Sequence, residues 1–281
     1  MLNEVIKLSA IVAVMSVISL SSCSSESETA RAARELYEQA QASNIAGDPV
    51  KALGLLDSIQ NTYKGETEWQ RAAMKLRPTV MISATEQQIQ AVDDSIAMLE
   101  QQYNTVLPKM KRIADARLVE PYFVDKATYN AEFMNTTGIQ PRVSEIGQLY
   151  FVSSANPGGI KHTGFTLNCD GESVQAGPVP YDNEMNYRIN GSEVVTYSPD
   201  QSSPVGEFAA NRQGRPMAVI LTGGKTKSLK LSSKQVEAIV NCYNYSQAIV
   251  EARQLAFERE RLNRQLEIAR SQAERLAGSE E

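Results

Sequence analysis

Apolar positions along the chain follow several different periods in succession. Leu8 to Leu20 is a short unbroken apolar run (LSAIVAVMSVISL). From about Ser25 to Arg77 the pattern is helical, with strong punctuation. Ser25 and Glu28 have capping-box spacing, and Gly47 supplies a left-handed stop. Asp48-Pro49 restarts a helix, with Asp48 as cap and Pro49 at the first helical position. Gly65 ends that helix, Thr67 with Gln70 makes a further capping box, and Pro78 closes the block, which predicts three short helices.

Between residues 79 and 118 the pattern narrows to heptads. Ile89, Val92, Ile96, Leu99, Tyr103, Val106, Met110 and Ile113 alternate at spacings of three and four, the seam of a coiled coil, and Pro108 lies off that stripe as an expected kink. A second seam follows a capping box at Ser232 and Gln235: Leu255, Arg259, Leu262, Leu266, Ala269, Ala273 and Leu276, with Gly278 as the stop. Six Arg and seven Glu between Glu251 and Glu281 balance one another, so this run is a solvated helix face and not a basic patch. Two long helices flanking one segment can pair antiparallel within the chain. A homodimeric coiled coil explains the same stripes.

Residues 119–231 between them alternate with period two. Strands are predicted at 149–154, 162–169, 193–197, 217–222 and 227–231, bounded by Pro157-Gly158-Gly159, Asp170-Gly171, Asn190-Gly191, Gln213-Gly214 and Gly223-Gly224. Asn190-Gly191 is the strongest hairpin turn in the chain. Met217 to Leu221 is apolar on both faces and is expected to be the central strand. The fold class is therefore α+β: a helical block over 23–78, a coiled-coil helix over 79–118, an inserted antiparallel β-sandwich or small barrel over 119–231, and a C-terminal coiled-coil helix over 232–281.

The apolar run near the start changes the picture. Its thirteen residues are too few for a span, which takes about 20, and they fit the middle of a secretory signal covering residues 1–22. Leu20-Ser21-Ser22-Cys23 resembles the lipobox of bacterial lipoproteins. The resemblance implies a diacylglycerol thioether on Cys23, cleavage before it and acylation of the new amino group, an effectively permanent anchor. Ser24, Ser25, Glu26, Ser27 and Glu28 follow. With no aspartate after Cys23, sorting of the familiar Gram-negative kind implies the outer membrane, and the acidic stretch resembles surface-export signals, so the periplasmic face and the cell surface both stay open. A second resemblance rests on Leu36, Ala40, Gly47, Ala52, Leu56 and Ile59, which look like one tetratricopeptide repeat. The usual proline near Lys64 is missing and no second copy follows, so a generic helical hairpin fits these residues equally.

Composition then removes function classes. Removal of the first 22 of 281 residues leaves 259, enough for one good core or two modest ones, and the formal charge of −5 gives no case for nucleic acid or anionic headgroups. With Cys23 lipidated, Cys169 and Cys242 remain. They would join in a disulfide, or each would be a small buried apolar residue, as the alternation Phe165, Leu167, Cys169 suggests for the first. No metal motif or cofactor fingerprint occurs, and His162 is the single histidine. Its place beside Thr166 and Asn168 predicts an exposed strand residue and not a catalytic base. Asp93-Asp94 reads as solvated and Asp170-Gly171-Glu172 as a turn, which cannot supply the six to eight oxygens that calcium takes. Pro157-Gly158-Gly159 is explained by turn geometry. The expectation is a membrane-anchored, non-catalytic interaction protein whose partner is an envelope protein or a glycan. The alternatives are a self-associating structural lipoprotein and a glycan-binding or glycan-processing protein.

Overall fold

A computed structural model describes residues 26–115 and 120–278. The signal segment and Cys23 lie outside the described residues. The fold is mixed α and β, with antiparallel sheets and long helices. Two compact units divide it, one reaching Ser83 and including residues from Ala273 onward, the other spanning Ala84–Gln272.

In the first unit, α1 (Glu28–Ile45) and α2 (Pro49–Thr62) are followed by the start of α3 (Thr67–Val106). The cap of α1 is Ser27, whose hydroxyl accepts the Ala30 N–H, and not Ser25. Gly47 at φ +82° makes the left-handed turn, and Asp48 caps α2 by accepting the Lys51 N–H, with Pro49 next. Gln70 does not complete a capping box. Its side chain donates to the Ile59 and Tyr63 carbonyls and so closes the end of α2. Ala40, Ala52, Leu56, Ile59, Ala73 and Val80 form the core. Leu56 and Ile59 are fully buried, and each contributes roughly 2 kcal/mol of burial. That core explains Pro78, which interrupts nothing: α3 continues through it, with Ala73 and Val80 buried on either side. Apolar burial outweighs the cost of one missing backbone bond.

The second unit begins within α3, which ends at Val106 and not near residue 118. Pro108 has no N–H to continue the α-helical hydrogen-bond ladder, and a single 3-10 turn (Leu107–Lys109) leads into strand β1 (Met110–Ile113). The last two positions of the predicted seam, Met110 and Ile113, thus belong to a sheet. β2 (Tyr122–Asp125), β3 (Gly138–Ser144) and β4 (Leu149–Ala155) follow, then β5 (His162–Cys169), β6 (Glu172–Ala176), β7 (Asn186–Ile189), β8 (Ser192–Thr196), helix α4 (Pro199–Ala210), β9 (Ala218–Gly223), β10 (Lys227–Lys230) and α5 (Ser233–Gly278). One sheet has the order β1-β2-β3-β4-β8-β7 and the other β10-β9-β5-β6, with every pairing antiparallel.

Asn190 and Gly191, both at positive φ, join β7 to β8, and Asp170 and Gly171 join β5 to β6 in the same way. β9, the expected central strand, lies inside its sheet between β10 and β5. Strands β1, β2 and β3 and helix α4 lie outside the predicted elements, and β6 and β7 are marked in the sequence only by the turns at Asp170-Gly171 and Asn190-Gly191. β3 carries Pro141, normally an edge residue. The arrangement tolerates it because β2 pairs only with Val143 and Ser144, leaving one side of Pro141 without a strand partner. α4 is built from a loop-like sequence (PDQSSPVGEFAA) and starts on a capping box between Ser198 and Gln201. Gly206 lets it approach closely, since a Cβ there would stand 2.5 Å from Leu149 and 2.7 Å from Tyr243.

The main apolar core takes Phe151 and Leu149 from one sheet, Phe165 and Leu221 from the other, Val205 from α4 and Ile239 from α5. Cys169 and Cys242 both lie in this core as free thiols, so the structure carries the buried-apolar alternative and not the disulfide.

Candidate functional site

Two features of the second unit bring functional groups together. The first is a groove of about 750 Å³ between α3 and α5. Over this stretch the helices run in opposite directions. Arg259 on α5 grips Asp93 on α3 at 2.6 Å, and Arg270 pairs with Glu86 at 2.9 Å. Asp93 is therefore an interhelical partner and not simply solvated. Leu99 on α3 and Leu262, Leu266 and Ala269 on α5 are buried, all of them positions of the two seams.

Toward the sheet the helices leave the groove between them. Ile96, Leu99 and Tyr103 line one wall, Tyr245, Ile249, Ala252 and Ala256 the other, with Phe123 of β2 at one end. Both walls repeat at three and four residues, which keeps these side chains on one face of each helix. The aromatic groups lock one another. Tyr103 and Tyr245 stack with centroids 5.4 Å apart, their hydroxyls meet at 3.1 Å, and Phe123 meets Tyr245 edge-on at 5.0 Å. Burial and the adjoining Tyr103 hydroxyl push the Tyr245 phenol well above its usual range. Tyr103 thus donates its hydroxyl to Tyr245, and the groove lining is chiefly apolar. Glu100, Asn104 and Glu145 are its polar members, and among the described residues no Lys or Arg lines the groove. Glu145 receives Arg112 through one carboxylate oxygen, Oε1, while Glu100 makes no ion pair among the described residues.

The second feature is a buried polar chain across the two sheets. His162 opens β5. Ser153 lies on β4, Glu193 on β8 and Tyr197 just past it. Ser153 Oγ is 2.9 Å from His162 Nε2, and His162 Nδ1 is 3.2 Å from Glu193 Oε2. Glu193 Oε1 accepts the Gly159 N–H at 2.7 Å, and Oε2 also accepts the His162 backbone N–H at 3.0 Å. Burial lowers the imidazole's affinity for a proton, against the pull of Glu193, so His162 is neutral. Burial by itself would raise the Glu193 carboxyl, but N–H donors of Gly159, Lys161 and His162 outweigh it and hold its pKa at about 2.

These states fix the direction of every bond. A carboxylate only accepts, so Nδ1 carries the imidazole proton, and Nε2 must accept from the Ser153 hydroxyl. Ser153 Oγ then accepts from the Tyr197 hydroxyl, 2.9 Å away. The sequence of groups matches a nucleophile–base–orienter relay. Access does not match. Ser153 and Tyr197 are at 0% exposure and His162 at 2%, so no substrate atom reaches the hydroxyl. In this structure the chain acts as a polar tie between sheets.

The expected exposed histidine is thus among the most buried residues of the fold. Its parity with Thr166 and Asn168 is broken by an irregularity between His162 and Gly164, where β5 shifts register against β9. Gly164 carried the signal: glycine inside a strand marks a bulge or a close backbone approach, and a Cβ there would stand 2.8 Å from the Ala176 carbonyl. Glu193, directly before Val194 and Val195 in β8, is the other clue.

Burial raises the pKa of both Cys169 and Cys242, making them poor nucleophiles. Among the described residues, no cluster of His, Cys, Asp and Glu could hold a metal ion, and no helix is long and apolar enough to cross a membrane. No protein-family model, curated protein or solved structure matches the chain.

Proposed function

We propose that this chain is a membrane-anchored cell-envelope lipoprotein that works by binding another envelope protein. In this reading lipid on Cys23 tethers it to the outer membrane, at the periplasmic face or the cell surface, and the long helices form a coiled-coil stalk carrying a β-sandwich head. The observation that carries the binding role is the groove between α3 and α5, whose lining is mostly apolar and aromatic. An open apolar groove suits a protein partner, whereas a glycan needs hydroxyl and amide groups free to hydrogen-bond. Here, among the described residues, the one amide of the lining is Asn104, and the two tyrosine hydroxyls bond to each other. The interhelical ion pairs of Arg259 with Asp93 and Arg270 with Glu86 support an internal helix pair.

Ala252 is an exposed groove residue, so Ala252→Trp fills the groove at little cost to folding. Co-isolation from detergent-solubilised membranes is expected to recover a protein with the native chain and to lose it with Ala252→Trp. Recovery of the same proteins with both chains would contradict the proposal.

A further inference from the structure

We infer that the groove takes an amphipathic helix of a partner protein, with an aliphatic face and Lys or Arg along one flank. The inference rests on the protein-binding reading above and specifies its ligand.

Both groove walls are helices, whose backbone groups are already bonded internally. An extended segment lying along them would meet only side-chain ridges. The wall made by α3 and the turn after it runs from Ile96 to Leu107, about 16 Å of helix, or three turns of a partner lying alongside. On α5 the exposed wall residues Ala252 and Ala256 are one turn apart. Their small side chains permit close approach of a third helix, whose larger aliphatic residues would enter between Ile96, Tyr103 and Ile249. Leu107 at the mouth is 40% exposed and awaits apolar cover.

Charge selects the flank. Among the described residues, the charged groups of the lining are carboxylates, Glu100 without an ion pair and Glu145 with Oε2 free of Arg112. An acidic flank on the ligand would meet them at like charge, and a basic flank would compensate them.

Two synthetic helices test this, each with leucines at positions i, i+3, i+4 and i+7, one flanked by Lys and the other by Glu. Binding to the mature chain carrying Cys23→Ser is read by anisotropy of a fluorescent label, with palmitate as a third ligand. The Lys-flanked helix is expected to bind roughly fivefold or more tighter than its Glu counterpart at low salt. Ala252→Trp should abolish binding, and Glu100→Lys should erase most of the preference while leaving the Glu-flanked helix bound. Equal binding of both helices, binding unchanged by Ala252→Trp, or binding of palmitate alone overturns the inference. If neither helix binds while a co-isolated partner still depends on Ala252, the helix assignment fails and the binding role stands. If no partner depends on Ala252, the binding role fails as well.

Discussion

Replacing Glu193 by Gln removes the one charge at the centre of the polar tie, and its effect should depend on pH in a defined way. The carboxylate accepts the Gly159 N–H, the His162 N–H and the imidazole Nδ1–H, and the residue is 4% exposed. Its pKa falls from 4.5 to about 2 on folding. At 1.36 kcal/mol per pH unit, that difference contributes about 3 kcal/mol to stability. A depressed carboxyl stabilises the fold fully above pH 4.5, and the contribution is lost as pH falls toward 2. Glutamine offers one oxygen and a donating amide where two oxygens accepted, so a buried N–H loses its acceptor, at a cost of about 1–3 kcal/mol. Urea unfolding of native and Glu193→Gln chains from pH 7 to pH 3 measures the difference. The two curves should lie about 3 kcal/mol apart at neutral pH and converge below pH 4.5. His162 is depressed as well, so the unfolded chain takes up its proton first, and both chains should begin to lose stability as pH falls below 6.5. Curves that stay parallel down to pH 3 would refute the assignment of the charge to Glu193.

Other outcomes follow from the same structure. Fluorophosphonate probes should leave Ser153 unlabelled in the native protein, because its hydroxyl is enclosed and shared between His162 and Tyr197; stoichiometric labelling would show that the tie opens into a site. Cys169 and Cys242 should stay silent to Ellman's reagent until guanidinium unfolds the chain, and then report two thiols in the Cys23→Ser protein; no thiol after unfolding would mean a disulfide. Gly206→Ala should destabilise by about 1–3 kcal/mol in urea, the usual cost of overpacking, because its Cβ would enter Leu149 and Tyr243; an unchanged midpoint would show that α4 can move aside.

Local chemistry was the legible part of the fold. Asn190-Gly191, Gly47 with Asp48-Pro49, and the box of Ser232 with Gln235 each specify a turn or cap through their own backbone preferences, and each stands where the residues indicated. Residues whose conformation is set by distant neighbours were misread. Pro78 looks like a stop until Ala73 and Val80 are seen buried around it. Met110 and Ile113 keep the heptad spacing, yet Pro108 ends the helix before them and β2 recruits them as a strand. α4 hides behind Pro, Ser and Gly because its helix is held by contact with β4 and α5. The polar tie needed three elements and a register shift to assemble, so only Gly164 and Glu193 hinted at it. For the groove, the two seams indicated that α3 and α5 would pair, but nothing local indicated where they would part, since Phe123 and Glu145 come from the sheet.

The most direct test of the binding role is photo-crosslinking in intact cells, with a photoreactive residue at position 252 of the native, lipidated chain and a control at exposed Lys225 in the β9–β10 turn. The account predicts an adduct from position 252, absent from 225, that maps to a helical segment of one envelope protein. Identical adducts from the two positions, or none from 252, would contradict it.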